Sequence, residues 1–179
     1  SLYATPGFNA LRFFGWLDDA RPTWYTAVPT MHQAILARAA RNADSVAGAR
    51  LRFIRSSSAS LPPQVMTELE GVFRCPVIEA YGMTEASHQM TSNPLPPAPR
   101  HPGCVGIAAG PEVGIMDDDN RLLALGEIGE VVISGPNVTA GYESNPEANA
   151  KAFAMVDGRR WFRTGDQGQM DAAGYLTLT

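Results

Sequence analysis

One stretch decides the fold of this chain, Val77-Ile78-Glu79-Ala80-Tyr81-Gly82-Met83-Thr84-Glu85-Ala86-Ser87-His88-Gln89-Met90. It opens with a short apolar run after Pro76 and then changes to glycine, hydroxyl, carboxylate, imidazole and amide groups. In an α/β protein, a strand that ends in such groups delivers them to the carboxyl edge of a sheet, where ligands bind. The stretch therefore predicts a strand followed by a ligand-binding loop.

Three residues of this loop have side chains or backbone properties suited to ligand binding. Gly82 lets the main chain approach a ligand closely or adopt a positive φ. Thr84 can donate and accept hydrogen bonds, whereas Glu85 only accepts them, so its carboxylate suits Mg²⁺ better than a bare phosphate. The same residues also fit a simpler structure, in which Thr84 caps a helix and Glu85 lies in its first turn.

Two strand–helix pairs are predicted before this stretch. Residues 24–28 and 51–55 are β-rich runs, and each is followed by apolar residues at helical spacing. We expect Thr30 and Ser60 to cap the two helices. His32, in the first turn of the earlier helix, is predicted to be a surface or half-buried residue and not a catalytic one.

The alternation of strands and helices implies parallel strands with right-handed crossovers. The hydroxyl-rich loop at 56–60 and the loop at 81–88 would then leave the same edge of the sheet. We therefore expect these two separated loops to form one crevice.

The sequence pattern changes after residue 95. Residues 96–103 are rich in proline and predict a linker between an α/β part, 1–95, and a β-rich part, 104–179. Short strands with Gly/Asp turns in the second part indicate antiparallel pairing. The predicted fold class is α/β followed by mostly β: a parallel βαβ-type half of three strands with helices, and a small antiparallel, β-barrel-like subdomain.

A second chemical signal is Phe162-Arg163-Thr164-Gly165-Asp166, where a predicted strand ends in a glycine and an aspartate. A carboxylate accepts hydrogen bonds from two vicinal hydroxyls well, which makes a ribose diol a natural ligand. The alternative is an ordinary aspartate in a tight turn.

Composition limits the classes of function. The 179 residues carry a net charge of -4 and no basic run, which argues against a nucleic-acid partner. Cys75 and Cys104 lie in no metal or redox spacing. No apolar run reaches membrane-span length, and no signal peptide opens the chain. We expect an intracellular protein, cytoplasmic or peroxisomal, and a piece of a longer chain.

Four motifs in order resemble those of the adenylate-forming (AMP-binding) superfamily, which contains acyl-CoA synthetases, adenylation domains and firefly-type luciferases. They lie at 55–62, at 81–85, at 129–130 together with 135–142, and at 162–166. Residues 24–33 and 87–97 resemble the oxalyl-CoA synthetase branch. The resemblance covers essentially the whole chain and implies an internal fragment of the large N-terminal domain of an acyl-CoA synthetase.

The resemblance implies a ligase that uses ATP, Mg²⁺ and coenzyme A. In the family, a carboxylate attacks the α-phosphate of ATP to give an acyl-adenylate and pyrophosphate, and the thiol of coenzyme A then displaces AMP. The missing N-terminal and C-terminal parts of the enzyme would carry the phosphate loop and the lysine of the adenylation step. The isolated fragment is therefore expected to be inactive.

The resemblance also assigns roles to residues. Those expected at the nucleotide are Ser58, Ala59, Ser60, Tyr81, Gly82, Met83, Thr84 and Asp166, with Tyr81 stacking on adenine and Asp166 holding the ribose. Thr84 and Glu85 are the expected catalytic residues, and Glu85 would bind Mg²⁺. Ser58, Ala86 and His88 would lie at the acid substrate.

The residues expected near the acid substrate are polar, which favours a small substrate. Ser87, His88 and Gln89, with Ser58, are hydrogen-bond donors suited to a second carboxylate, which predicts a small dicarboxylic acid such as oxalate. Two alternatives are an adenylation domain that passes its acyl group to another acceptor, such as a carrier protein, and a catalytically silent nucleotide-binding module.

Overall fold

A computed structural model of the chain describes residues 2–179 and divides them into two compact units. Unit 1 runs up to Glu79 and includes Leu95–Gly103. Unit 2 comprises Ala80–Pro94 and Cys104–Thr179. The boundary therefore falls within one strand, β3 (Val77–Tyr81).

Unit 1 is the parallel α/β half. Its elements are α1 (Phe13–Ala20), β1 (Trp24–Ala27), α2 (Pro29–Ala39), a 3-10 turn (Ala40–Asn42), α3 (Ala43–Gly48), β2 (Phe53–Ser56), α4 (Pro63–Phe73) and the first residues of β3. β2 pairs in parallel with both β1 and β3. The predicted three-strand βαβ order is confirmed.

The core of unit 1 lies between its sheet and its helices. Val65, Leu69 and Phe73 recur every four residues along α4, so they share one face and are buried together. Ile54 and Val77 in the sheet belong to the same cluster and are completely buried. Each large aliphatic side chain buried in this way contributes roughly 1.5–3 kcal/mol to stability.

The two longest helices of unit 1 begin at prolines. Val28 is the N-cap residue of α2 and Pro62 that of α4, and neither helix has a side-chain cap bond. The predictions of Thr30 and Ser60 as caps are therefore wrong. Proline fixes a helical φ at the first position and has no N–H to satisfy, which reduces the need for a capping side chain.

The proline-rich segment 95–103 is tied to unit 1 by polar contacts. Arg100 pairs with the Glu70 carboxylate and donates to the carbonyl oxygen of Val77 at 2.6 Å. The backbone N–H of Gly103 donates to the Glu79 carboxylate at 3.0 Å. Burial raises the pKa of the Glu79 carboxyl, and the backbone donors act against that shift.

His32 is completely buried, which corrects the expectation of a surface or half-buried residue. Its Nδ1 lies 3.3 Å from the hydroxyl oxygen of Tyr25, and its Nε2 has no hydrogen-bond partner among the residues that the structure describes. Burial lowers the pKa of His32 to about 4 because the charged imidazolium would lose its hydration.

The buried imidazole should make the protein sensitive to acid. Since the folded-state pKa lies below the unfolded value of 6.5, the unfolded chain binds a proton first as the pH falls. We expect the free energy of unfolding to drop by about 2 kcal/mol between pH 7 and pH 5 through His32 alone. Urea denaturation at both pH values should show a smaller drop for His32→Gln, whereas the exposed His88→Gln should keep the wild-type difference. Equal drops in wild type and His32→Gln would contradict this.

Unit 2 is mostly antiparallel. Its elements are the end of β3, β4 (Thr91–Ser92), β5 (Ile107–Ala108), β6 (Glu112–Met116), β7 (Gly129–Ser134), α5 (Pro146–Ala152), β8 (Phe153–Val156), β9 (Arg159–Met170) and β10 (Leu176–Leu178), with a 3-10 turn at Thr84–Ala86. β4 pairs with the end of β3 and with β5. The larger sheet of unit 2 is antiparallel and has the strand order β10-β9-β7-β6, and β8 pairs with β9.

The expected α/β and mostly β fold class is confirmed, with one refinement. Across residues 2–179, the larger antiparallel sheet is open and does not close into a barrel, because β10 and β6 form its edges. Val131, Val132 and Ile133 of β7 are completely buried, since this strand lies inside the sheet with both faces covered. Over the same residues, no helix has the length and apolarity needed to span a membrane.

Candidate functional site

The loop after β3 folds back on itself. The N–H of Met90 donates to the carbonyl oxygen of Tyr81 at 3.0 Å. The N–H of His88 donates to the carbonyl oxygen of Met83, also at 3.0 Å. A Cβ atom on Gly82 would lie 1.4 Å from the carbonyl oxygen of His88. Gly82 is thus required for close approach within the loop itself, and its φ is not positive. Ser87 and His88 instead have positive φ values, 51° and 80°.

Thr84 begins the short 3-10 turn and does not cap it. The residue before the turn is Met83, and no side chain makes a cap bond there, so the capping interpretation of Thr84 is wrong. The Thr84 side chain is exposed and its hydroxyl can reach a ligand. Ala86 is completely buried, whereas His88 is exposed.

Tyr81 joins the end of β3 to Asp166. Its hydroxyl donates to Oδ2 of Asp166 at 2.5 Å. Burial, followed by this hydrogen bond, raises the pKa of Tyr81, so the hydroxyl keeps the proton that it donates. Asp166 is exposed, and its Oδ1 can accept a hydrogen bond from a ligand. The ring of Tyr81 packs in the unit 2 core, and stacking on adenine stays a prediction.

Glu130 fixes the turn that carries Asp166. One carboxylate oxygen of Glu130 accepts from Nε and Nη2 of Arg163, at 2.7 and 2.5 Å. The other oxygen accepts from the N–H of Gly165 at 2.9 Å, where the main chain has a φ of 80°. The pairing of β7 with β9 shifts register beside Glu130. The Gly-Glu motif therefore serves to place the aspartate.

A second segment, 135–142, holds the loop after β3. Nδ2 of Asn137 donates to the carbonyl oxygens of Ala86 and Gln89, at 2.8 and 3.2 Å. The N–H of Thr139 donates to the carbonyl oxygen of Glu85 at 2.7 Å. These bonds satisfy backbone groups that a strand or helix would otherwise pair.

Tyr142 ends this segment and contacts the Glu85 carboxylate. Its hydroxyl donates to Oε1 of Glu85 at 3.0 Å. Asn149 accepts from the N–H of Tyr142 at 2.7 Å and donates to its carbonyl oxygen at 2.9 Å. The orientation of Glu85 thus depends on a residue of the 135–142 segment, which is in turn fixed by α5.

The predicted site residues fall in two units. Ser58, Ala59 and Ser60 follow β2 in unit 1, where they are exposed and Ser58 has a φ of 71°. Tyr81, Gly82, Met83, Thr84, Glu85, Ala86, His88 and Asp166 lie in unit 2, where the structure brings Tyr81 and Asp166 into direct contact. Convergence of the two loops on one crevice stays a prediction.

Comparison with known proteins assigns the chain to a family. The profile of the AMP-binding enzymes matches residues 2–143. The chain belongs to the AMP-binding enzyme family. An oxalate–CoA ligase from Arabidopsis thaliana is 48% identical over 179 residues, which cover 99% of this chain and 34% of the relative. One from Saccharomyces cerevisiae is 44% identical over 100% of this chain and 32% of the relative.

The solved structures agree with this assignment. ATP-bound MatB from Rhodopseudomonas palustris is 31% identical and superposes with a TM-score of 0.82, over 98% of this chain and 33% of MatB. This AMP-binding chain therefore spans about a third of the length of the relatives that it matches. The resemblance found in the sequence motifs is confirmed at the level of family and fold.

The side chains of this chain can be compared with the ligands that a magnesium ion requires. Over the described part of the chain, no group of three or more His, Cys, Asp or Glu side chains could hold a metal. Glu85 supplies one carboxylate, and its Oε2 has no hydrogen-bond partner within residues 2–179. Mg²⁺ bound with nucleotide phosphates needs only one or two carboxylates, because phosphate and water oxygens complete its shell. Glu85 fits that mode of binding.

Sequence reasoning missed several residues of the site. Glu130, Asn137 and Tyr142 stand in motifs that match the AMP-binding family, but their structural roles are not visible from the motifs. Asn149 lies in no motif and gave no signal. The structure further shows that Ser87 donates to the carbonyl oxygen of Asn137 at 3.0 Å, so its hydroxyl hydrogen is used within the loop.

Proposed function

We propose that this chain is the nucleotide-holding part of an ATP-dependent acid–CoA ligase, and that its acid is a small dicarboxylic acid such as oxalate. The observation that carries the proposal is the placement of Asp166 against Tyr81 at the end of β3, in a chain of the AMP-binding family. The two oxalate–CoA ligases at 48% and 44% identity support the choice of acid. Their names give no support to a carrier-protein acceptor.

The site residues would act on the nucleotide in distinct ways. Asp166 can accept a hydrogen bond from a ribose hydroxyl through Oδ1, because Tyr81 occupies Oδ2. The exposed Thr84 hydroxyl can donate to an α-phosphate oxygen while a substrate carboxylate attacks the phosphorus and pyrophosphate leaves. Glu85 would hold Mg²⁺, which offsets the negative charge of the phosphates. In the second step, the thiol of coenzyme A attacks the acyl carbon and AMP leaves.

The residues predicted to bind the acid have fewer unoccupied hydrogen-bond donors than the sequence suggested. Ser87 bonds to Asn137, and Nε2 of Gln89 lies 3.4 Å from the carbonyl oxygen of Ala109. His88 remains exposed, with a backbone φ of 80° that β-branched residues avoid. Among the three polar residues of this loop, His88 is therefore the one that we propose for contact with the acid.

The ribose assignment predicts the effect of removing the carboxylate. We expect Asp166→Ala to weaken AMP binding about 10- to 100-fold, since hydrogen bonds to a charged group contribute roughly 1.5–3 kcal/mol. Calorimetric titration of the full-length protein with AMP measures this. The exposed Asp118→Ala is the matched control and should bind as the wild type does.

Three further measurements complete the test. Tyr81→Phe keeps the carboxylate and should reduce AMP affinity less than Asp166→Ala does. The difference between AMP and its 3′-deoxy analogue should disappear in Asp166→Ala. The proposed activity is tested by pyrophosphate release from ATP with coenzyme A and oxalate. Better activation of octanoate than of oxalate would refute the choice of acid, and no release with any acid would favour a silent nucleotide-binding module.

A further inference from the structure

Arg55, in β2 of unit 1, is a buried arginine that has no carboxylate partner in the described part of the chain. Only 8% of its surface is exposed, and none of the ion pairs found across residues 2–179 includes it. Burial lowers its pKa from the ordinary arginine value, but a guanidinium remains charged in proteins. Because removing a cation from water costs several kcal/mol unless an anion compensates it, this arginine requires a counter-charge.

The partners that Arg55 does have are hydroxyl groups. Its Nη1 donates to Oγ of Ser57 at 3.0 Å and to Oγ1 of Thr26 at 3.3 Å. Its Nη2 is buried and makes no hydrogen bond with any residue from 2 to 179. Thr26 is paired with Arg55 across the parallel strands, and Ser57 lies two residues further along, so the three side chains share one face of the sheet.

These groups together can bind an anion. Both hydroxyl oxygens accept from Arg55, which leaves their own hydrogens available to another acceptor. With Nη2, the cluster therefore offers three donors and one positive charge. A cavity of about 410 Å³ borders Thr26, and its other lining side chains include Trp16, Trp24 and Met31. Arg55 and Ser57 do not line this cavity, but they are only 8% and 6% exposed, and such burial strengthens a charge-assisted hydrogen bond.

We propose that Arg55, Thr26 and Ser57 form a binding site for a small carboxylate, and that its ligand is the second carboxylate of the dicarboxylic acid. The identity of the acid rests on the proposed function, whereas the anion site rests on the buried, uncompensated guanidinium. Ser57 directly precedes Ser58, which the family resemblance places at the acid. A guanidinium and a carboxylate match in geometry, so the cluster separates dicarboxylates from monocarboxylates of similar size.

The test compares Arg55→Met with Arg52→Met in the full-length protein. Arg52 is an exposed arginine three residues earlier, so its replacement removes the same charge outside the cluster. We measure oxalate and acetate affinity by calorimetry in the presence of AMP, and KM for each acid by pyrophosphate release. Arg55→Met should weaken oxalate binding and raise its KM about 10- to 100-fold, with acetate and AMP unaffected. Arg52→Met should change neither the affinity nor the KM for either acid.

Two small changes, Thr26→Val and Ser57→Ala, each remove one hydroxyl group and keep the proposal testable if Arg55→Met does not fold. Each should reduce oxalate affinity several-fold and leave acetate affinity unchanged. Unchanged oxalate binding in these variants, or an equal loss for both acids, would overturn the anion site. So would a crystal structure with a protein carboxylate on Nη2. If wild type itself forms no oxalyl thioester, the proposed function fails; if wild type is active and Arg55→Met matches it, only the present inference fails.

Discussion

Replacing Gly82 by alanine should reduce the free energy of unfolding by about 3 kcal/mol or more, because the new Cβ would overlap the carbonyl oxygen of His88. The overlapping atom belongs to the backbone, so no side-chain rotation can relieve the contact. Either the loop at 82–90 moves or unit 2 loses the bonds that close it, between Met90 and Tyr81 and between His88 and Met83. AMP binding should fall together with stability, since Thr84 and Glu85 lie in this loop.

A matched change elsewhere isolates the steric effect. Gly71 lies on the exposed face of α4, and a Cβ atom added there would meet no atom within 4 Å outside its chain neighbours and the backbone of its own helix. Gly71→Ala should therefore stabilise the protein by about 0.5–1 kcal/mol, because alanine is the better helix residue. Urea denaturation of both variants gives the comparison. A Gly82→Ala protein as stable as wild type would show that the loop does not have the described conformation.

Glu130→Gln should reduce the free energy of unfolding by about 3 kcal/mol. The carboxylate is largely buried, with 21% of its side chain exposed, and Arg163 has 16% exposed. A neutral amide cannot accept from both Arg163 and Gly165 as the carboxylate does, and it leaves the guanidinium without a charge partner. Because Gly165 precedes Asp166, we also expect weaker AMP binding.

The control for this prediction is an ion pair on a neighbouring strand. Glu112 of β6 pairs with Arg159, and their side chains are 61% and 49% exposed. Solvent screens such a pair, so Glu112→Gln should change the free energy of unfolding by less than about 1 kcal/mol. Similar losses in the two variants would mean that burial does not distinguish the pairs and that Glu130 has no special role in placing Asp166.

The sequence predicted the features that arise from local pattern. The parallel strands of unit 1 follow from the alternation of β-rich runs and helical spacing, and the antiparallel half follows from short runs between Gly and Asp turns. The family motifs then pointed to Thr84, Glu85 and Asp166. β8 was missed because Phe153–Val156 directly follows α5 with no turn residue between them.

Features that depend on three-dimensional context were not predictable. His32 looked like an ordinary residue of a first helical turn, but its burial depends on Tyr25 and on the core around it. The structure requires a glycine at position 82 because His88 of the same loop lies beside it, a contact that the sequence does not show, and the approach of a ligand to Gly82 stays a prediction. Glu130 and Tyr142 act through contacts that span 33–57 residues of sequence. Contacts between residues so far apart cannot be predicted from a local sequence pattern.

The long strand β9 limits where this half of the molecule can change length during evolution. It pairs with β8 near its start, with β7 along its middle and with β10 at its end. Deleting one residue between Trp161 and Asp166 would exchange the two faces of the strand and move the aspartate away from Tyr81. Insertions and deletions among relatives should therefore collect in the turns at 157–158 and 171–174.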